Sequence, residues 1–277
     1  MWPPIVKLMS AFLTETEYTK GCVRVSWGSS IGTIFIYLVS PIIIMLAGWK
    51  SVFILCAVVG VAGLIIWLKL CPEIERSSTI NENDSIEKRK EKLISPLVIF
   101  IILAIIFQGI LRDGVTTWMP SYISEIYNLS NEISILTGVL LPIFSMGCFK
   151  LTLYLYAKKL KNPLTCSGAL SALLLYTLSD ANAVLSVLLS AILSACMHGV
   201  NLLLICILPP LIAKKGHESV MSGLLNSCAY VGSAISAYII PLWAENAGWT
   251  STLYTWFLYA LAGTLICFLC VPMWKRK

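Results

Sequence analysis

Long apolar runs separated by short polar stretches set the pattern of this chain. The hydrocarbon core of a bilayer takes about 20 mainly apolar residues per helix. Runs of that kind fall at 22–47, 52–70, 97–119, 133–157, 164–180, 183–212, 221–243 and 251–273. Residues 1–14 read as the tail of a further helix. One long polar segment, 71–95, interrupts the series, with Glu82, Asp84 and Glu87 leading into Lys88-Arg89-Lys90-Glu91-Lys92. It reads as a linker between two helical bundles. The pattern predicts an all-α integral membrane protein that crosses the bilayer eight times.

Composition supports that reading. Of 277 residues 58% are apolar and 12% charged, where a soluble domain carries about 25% charged residues. An ordinary cytosolic enzyme, a disordered chain and a nucleic-acid binder are excluded, and the bilayer becomes the expected partner. The net charge of +6 is a topology signal. Basic residues gather in alternate loops: Lys7, Lys20 and Arg24, then Arg76 and the 88–92 cluster, then Lys158, Lys159 and Lys161. Lys214 and Lys215, then Lys275, Arg276 and Lys277, complete the series. The opposite loops hold only Lys50, while Arg112 and Lys150 fall inside spans. The positive-inside rule therefore predicts a cytoplasmic-membrane protein with both ends in the cytoplasm. Most of the ten cysteines sit in apolar runs and read as small hydrophobes. Cys267-x-x-Cys270 has no second pair beside it, so neither a metal nor a cofactor is expected.

The chain repeats itself. Gly32, Pro41, Gly48 and Trp49 recur as Gly232, Pro241, Gly248 and Trp249, each two hundred positions later. Pro3-Pro4-Ile5-Val6 echoes Pro209-Pro210-Leu211-Ile212. Both copies run from the basic side outward, so the repeats are parallel and related by an axis along the membrane normal, as in two-bundle transporters. Gly32 and Gly232 are expected to allow close helix approach. Pro41 and Pro241 should bend their helices, and each Gly-Trp should form a short outer turn with an interfacial anchor. The second copy runs from Pro96 with six spans. By that symmetry roughly 110 residues, with three spans and most of a fourth, are expected to precede Met1.

These residues resemble the major facilitator superfamily. The likeness is nearest to the organophosphate:phosphate antiporter branch, which includes glycerol-3-phosphate and hexose-phosphate carriers. Trp2-Pro3-Pro4, Gly48-Trp49-Lys50-Ser51-Val52-Phe53, and Leu111-Arg112-Asp113-Gly114 through Trp118-Met119-Pro120-Ser121-Tyr122 carry it. The resemblance implies a remnant of the N-terminal bundle over 1–70, a central cytoplasmic linker over 71–95, and a complete C-terminal six-helix bundle over 96–277. It also implies that Arg112 contacts the substrate phosphate. The sequence departs from the branch in the fifth helix, where Trp27-Gly28-Ser29-Ser30 has no histidine, and after the eighth, where the signature is reduced to Lys150 through Lys159.

An ionisable group within the bilayer is costly, and is a functional candidate by default. Gln108, Arg112 and Thr116, four residues apart, form one polar stripe. The functional reading is an anion clamp, in which a guanidinium grips carboxylate or phosphate through two bonds. The structural alternative is an ion pair with a carboxylate on another helix. Asp113, next in sequence, is expected to point elsewhere. Lys150 is a second cationic candidate, against a snorkelling lysine. His198 and Asn201 share a face with Ser194, and Asn226 and Tyr230 share one with Ser233. These are candidates for ligand contact, against interhelical hydrogen bonding. Trp118, Tyr122 and Trp243 read as interfacial belt residues.

With Arg112, Lys150 and His198 the visible site is net positive, which points to a small anionic organic solute carried by alternating access. The competing reading is a non-transporting remnant or a transporter-derived membrane sensor. A membrane enzyme is disfavoured, because His198 and His217 have no acidic partner placed for catalysis beyond the adjacent Glu218.

Overall fold

The structure is a computed structural model and describes residues 2–70, 95–160, 183–212 and 218–274. The predicted span 164–180 and the linker over 71–94 lie outside the described residues. Among those described there is no strand. Six stretches of the described residues are long and apolar enough to cross a membrane: Thr16–Ala47, Lys50–Lys69, Pro96–Tyr127, Ile133–Lys158, Val184–Ile212 and Val220–Met273. The last has 54 residues, room for two crossings, and its helical geometry is broken at Gly248.

Helix α1 spans Trp2–Phe12 and α2 spans Glu15–Ala47. α2 starts well before its apolar run because Thr14 and Glu17 set its first turn. The Glu17 carboxylate accepts from the Thr14 backbone N–H at 3.0 Å and from its hydroxyl at 2.8 Å. α3 spans Lys50–Leu70, and α4 spans Pro96–Tyr127. α4 runs through Pro120, past the predicted end at 119, because Tyr122 and Ile123 beyond it bury against other helices. α5 (Asn131–Thr137) is capped by Ser130, and α6 (Leu140–Tyr154) continues as a π-helical turn, Leu155–Leu160.

Helix α7 (Ala183–Asn201) leads into a second π-helical stretch, Leu202–Ile207, and then α8 (Leu208–Ile212). The double proline accounts for what happens here. Pro209 and Pro210 have no N–H to offer the carbonyls four residues earlier, those of Ile205 and Cys206. Side chains supply the missing donors instead. Ser222 donates to the Ile205 carbonyl at 3.3 Å, and the Tyr18 hydroxyl donates to that of Cys206 at 3.0 Å. The second bond ties α2 to this turn.

Helix α9 covers Glu218–Trp274, interrupted at Gly248. α4 and the first half of α9 approach closely through two glycines. A Cβ at Gly109 would run into the Ala229 carbonyl, and one at Gly232 into the Ile106 carbonyl. Gly32, the repeat partner of Gly232, has nothing within 4 Å of a Cβ position, so the expected close approach is found at Gly232 and not at Gly32.

By contacts the chain divides into two units, Met1–Tyr37 with Pro96–Lys277, and Leu38–Ser95. In the first unit, a core of residues such as Ile101, Ile105, Leu203, Leu204 and Leu225 lies between α4, α7, the π turn and α9. A smaller cluster at the far end of α4 joins Met119, Tyr122, Ile123, Val187 and Trp249. In the second unit, α3 leaves its apolar side chains exposed.

Candidate functional site

Within the first unit a cavity of about 380 Å³ opens between α2, α4, α6, α7 and α9. That volume lies at the small end of ligand pockets, which run roughly 300–1,000 Å³. Its wall is unusually polar for a place between apolar helices.

Arg112 is the centre of the wall from α4. Its Nε donates to Asp113 Oδ1 at 2.5 Å and its Nη2 to Oδ2 at 2.8 Å. Its Nη1 donates to Asn201 Oδ1 on α7 at 2.7 Å. The pairing with Asp113 corrects the sequence reading, which placed that carboxylate on another side. Neighbouring Cβ atoms on a helix do diverge, but the long arginine stem reaches back across the gap. Ser233 on α9 donates its hydroxyl to Asp113 Oδ2. The close Gly109 and Gly232 contacts bring that serine within reach. The Arg112 side chain is 14% exposed and that of Asp113 30%, so both are reached from the cavity.

Of the other sequence candidates, Thr116, His198, Asn201, Asn226 and Tyr230 also line the cavity. Thr116 donates to the Arg112 carbonyl at 2.7 Å. The Nδ1 of His198 lies 2.8 Å from the Ser194 carbonyl, a donor position that leaves Nε2 as the other ring nitrogen. Two candidates lie elsewhere. Gln108 is buried against α7, donating to the Met197 carbonyl at 3.2 Å, with its Oε1 unpaired. Lys150 is exposed and sits 4.7 Å from the ring centre of Trp27. Removing Lys150 and setting Asp113 against Arg112 cancels the net positive charge read from sequence.

The wall opposite is hydroxyl-rich. Ser26, Ser29, Ser30 and Thr33 on α2 line the cavity at steps of three and four residues. That spacing is visible in the sequence, and it is the signal sequence reasoning missed. The belt assignment also needs correction. Tyr122 is buried, and Trp118 packs against both clusters with its Nε1 buried and unpaired. Trp243 is exposed.

The two Gly-Trp turns share one backbone feature. Gly48 has φ 76° and Gly248 φ 77°, the left-handed region that favours glycine. Their tryptophans differ: Trp49 is 61% exposed, Trp249 7%. Trp249 donates its Nε1 hydrogen to Glu125 at 2.7 Å, closing α9 onto the end of α4.

The cavity is walled by an ion pair, amides and hydroxyls and lies among apolar spans. A sequence profile of the Major Facilitator Superfamily matches residues 1–237. The chain belongs to the Major Facilitator Superfamily. No curated protein matches it. Major facilitators are secondary transporters, and this major facilitator is a multi-pass, all-α membrane protein whose partners are the lipid bilayer and a small solute.

Proposed function

We propose that this major facilitator carries a small organic anion by alternating access, with Arg112 as the group that holds the anion. The observation behind this reading is the place of Arg112, on a cavity wall among apolar spans and steered by Asn201. A guanidinium has five N–H groups. Three are engaged by Asp113 and Asn201, which leaves two for a ligand even before Asp113 gives way. Thr116, His198, Asn201, Asn226 and Tyr230 would complete the substrate contacts, with the hydroxyl stripe of α2 facing them.

The basic loops support a cytoplasmic-membrane location with both ends in the cytoplasm. The internal repeat supports division into an N-terminal part, 1–70, a linker, 71–95, and a C-terminal bundle, 96–277, with the two bundles rocking about the midplane. Likeness to the organophosphate:phosphate antiporter branch makes phosphate esters the first substrates to try, in exchange for phosphate.

The test is uptake of labelled phosphate, glycerol 3-phosphate and glucose 6-phosphate into proteoliposomes. A charge-assisted bidentate contact contributes about 1.5–3 kcal/mol. Arg112→Lys should therefore lower uptake by roughly tenfold or more while membrane insertion is unchanged. Unaltered kinetics would remove Arg112 from the substrate site. Anion binding without uptake would favour a sensor.

A further inference from the structure

The cavity wall is electrically balanced. Among the described residues that line it, Arg112 is the permanent cation and Asp113 the carboxylate, and they lie side by side. Their hydrogen bonding is incomplete. A guanidinium has five N–H groups, and Asp113 and Asn201 take three of those on Arg112. An ionised carboxylate has about four lone-pair positions. Arg112 occupies one on each oxygen of Asp113, and Ser233 takes the second on Oδ2. Oδ1 keeps one open. The pair thus offers free donors and a free acceptor together.

An anion alone fits this pair poorly. If it takes the two free N–H groups, it lies beside the Asp113 carboxylate, and like charges repel. If it takes the edge that holds Asp113, it strips that carboxylate of its counter-ion among apolar helices, where an unpaired charge is strongly unfavourable. A cation within the same ligand resolves both cases.

The hydroxyls point to an ammonium. Three that line the cavity spend their hydrogen on a helix carbonyl. Ser26 donates to Cys22 at 2.8 Å, Thr33 to Ser29 at 3.1 Å, and Thr116 to Arg112 at 2.7 Å. They meet a ligand as acceptors, and an anion has no hydrogen to give them. His198 also lines the cavity. With Nδ1 donating to the Ser194 carbonyl, its neutral ring keeps a lone pair on Nε2. An ammonium has three N–H donors and no acceptor, the complement of such a wall.

We propose that the organic anion taken by this cavity carries an ammonium group of its own, with Arg112 holding the anionic end and Asp113 the ammonium. The proposal rests on the reading of Arg112 as the anion-binding group. The ligand class is a short amphoteric molecule, with phosphate or carboxylate at one end and an amine near it. Every charge is then paired in the loaded cavity without a separate co-ion.

Two matched pairs of probes test this: phosphoethanolamine against ethyl phosphate, and β-alanine against propionate. Binding to the purified full chain in nanodiscs is read by titration calorimetry near neutral pH. In at least one pair the amino ligand should bind at least about tenfold tighter, the size of one close charge pair. The pair that responds identifies the anionic end as phosphate or carboxylate. Asp113→Asn should weaken the amino ligand by about the same factor and tighten its partner, because Arg112 is freed. A residue that only shapes the wall would weaken both alike, and that result overturns the proposal. So does wild type that prefers the amino ligand in neither pair, which decides the matter even where Asp113→Asn does not fold. In those cases loss of binding in Arg112→Lys leaves the anion reading standing. Unchanged affinities in Arg112→Lys, or no binding of any of the probes by wild type, overturn both.

Discussion

Gly48 and Gly248 share the same positive φ, 76° and 77°, two hundred residues apart and each followed by tryptophan. At Gly248 the backbone has φ 77° and ψ 167°, a region that is essentially glycine's and costs an L-residue about 1–3 kcal/mol. Neither glycine has an atom within 4 Å of a Cβ position, so the strain is conformational and not steric. Gly248→Ala should therefore lower stability by about 1–3 kcal/mol, and Gly248→Asn by as much, because ψ 167° lies outside the αL well that Asn tolerates. Chemical unfolding in detergent checks both.

The other glycine pair of the repeat should behave asymmetrically. Gly232→Ala drives a methyl group into the Ile106 carbonyl, and backbone cannot move aside cheaply. Overpacking of that kind costs about 1–3 kcal/mol. Gly32→Ala meets open space in the middle of α2 and should be neutral or raise stability by up to about 1 kcal/mol, the helix-propensity gain. Equal effects at the two sites would contradict the packing.

Tyr18 donates to a carbonyl that Pro210 leaves without its helical partner. Tyr18→Phe preserves the ring and removes the donor. A buried acceptor left unsatisfied costs about 1–3 kcal/mol, and thermal unfolding should show a destabilisation of that size. No change in unfolding would mean that another donor replaces it.

Trp249→Phe keeps an aromatic ring in the cluster with Tyr122 and Ile123 but deletes the bond to Glu125. Hydrogen bonds to charged groups contribute about 1.5–3 kcal/mol. A double-mutant cycle with Glu125→Gln should return a coupling energy of at least about 0.5 kcal/mol. The equivalent change at exposed Trp49 should cost within about 0.5 kcal/mol.

Lys150 stands over the Trp27 ring, away from the cavity lining. Lys150→Ala should change anion affinity less than about twofold, where Arg112→Lys costs roughly tenfold. The comparison is made with one substrate in the same proteoliposomes. Comparable losses would place Lys150 on the solute path.

The apolar runs made most spans legible, because the bilayer selects for length and hydropathy before any packing is considered. Helix starts fixed by polar side chains were less legible: α2 begins at Glu15 through Thr14 and Glu17, outside its apolar run. The candidate site was readable where a stripe lay on one helix, as with Arg112 and Thr116. It was unreadable where partners meet across helices. Nothing in the spacing shows that Asn201 reaches Arg112, or that Ser233 reaches Asp113. Helical direction alone sets Asp113 apart from Arg112, and the reach of the arginine side chain closes that gap. Nor does the repeat reveal that one Gly-Trp tryptophan is buried and the other exposed, since both follow the same glycine.

The Arg112–Asp113 pair also bears on the membrane potential. A lone charge carried across 100 mV changes energy by about 2.3 kcal/mol. Two opposite charges side by side on one helix, linked at 2.5 Å, move through the field together, and their electrical work cancels. Reorientation of the empty pair is therefore blind to voltage. Electrical current at this pair enters with the cargo.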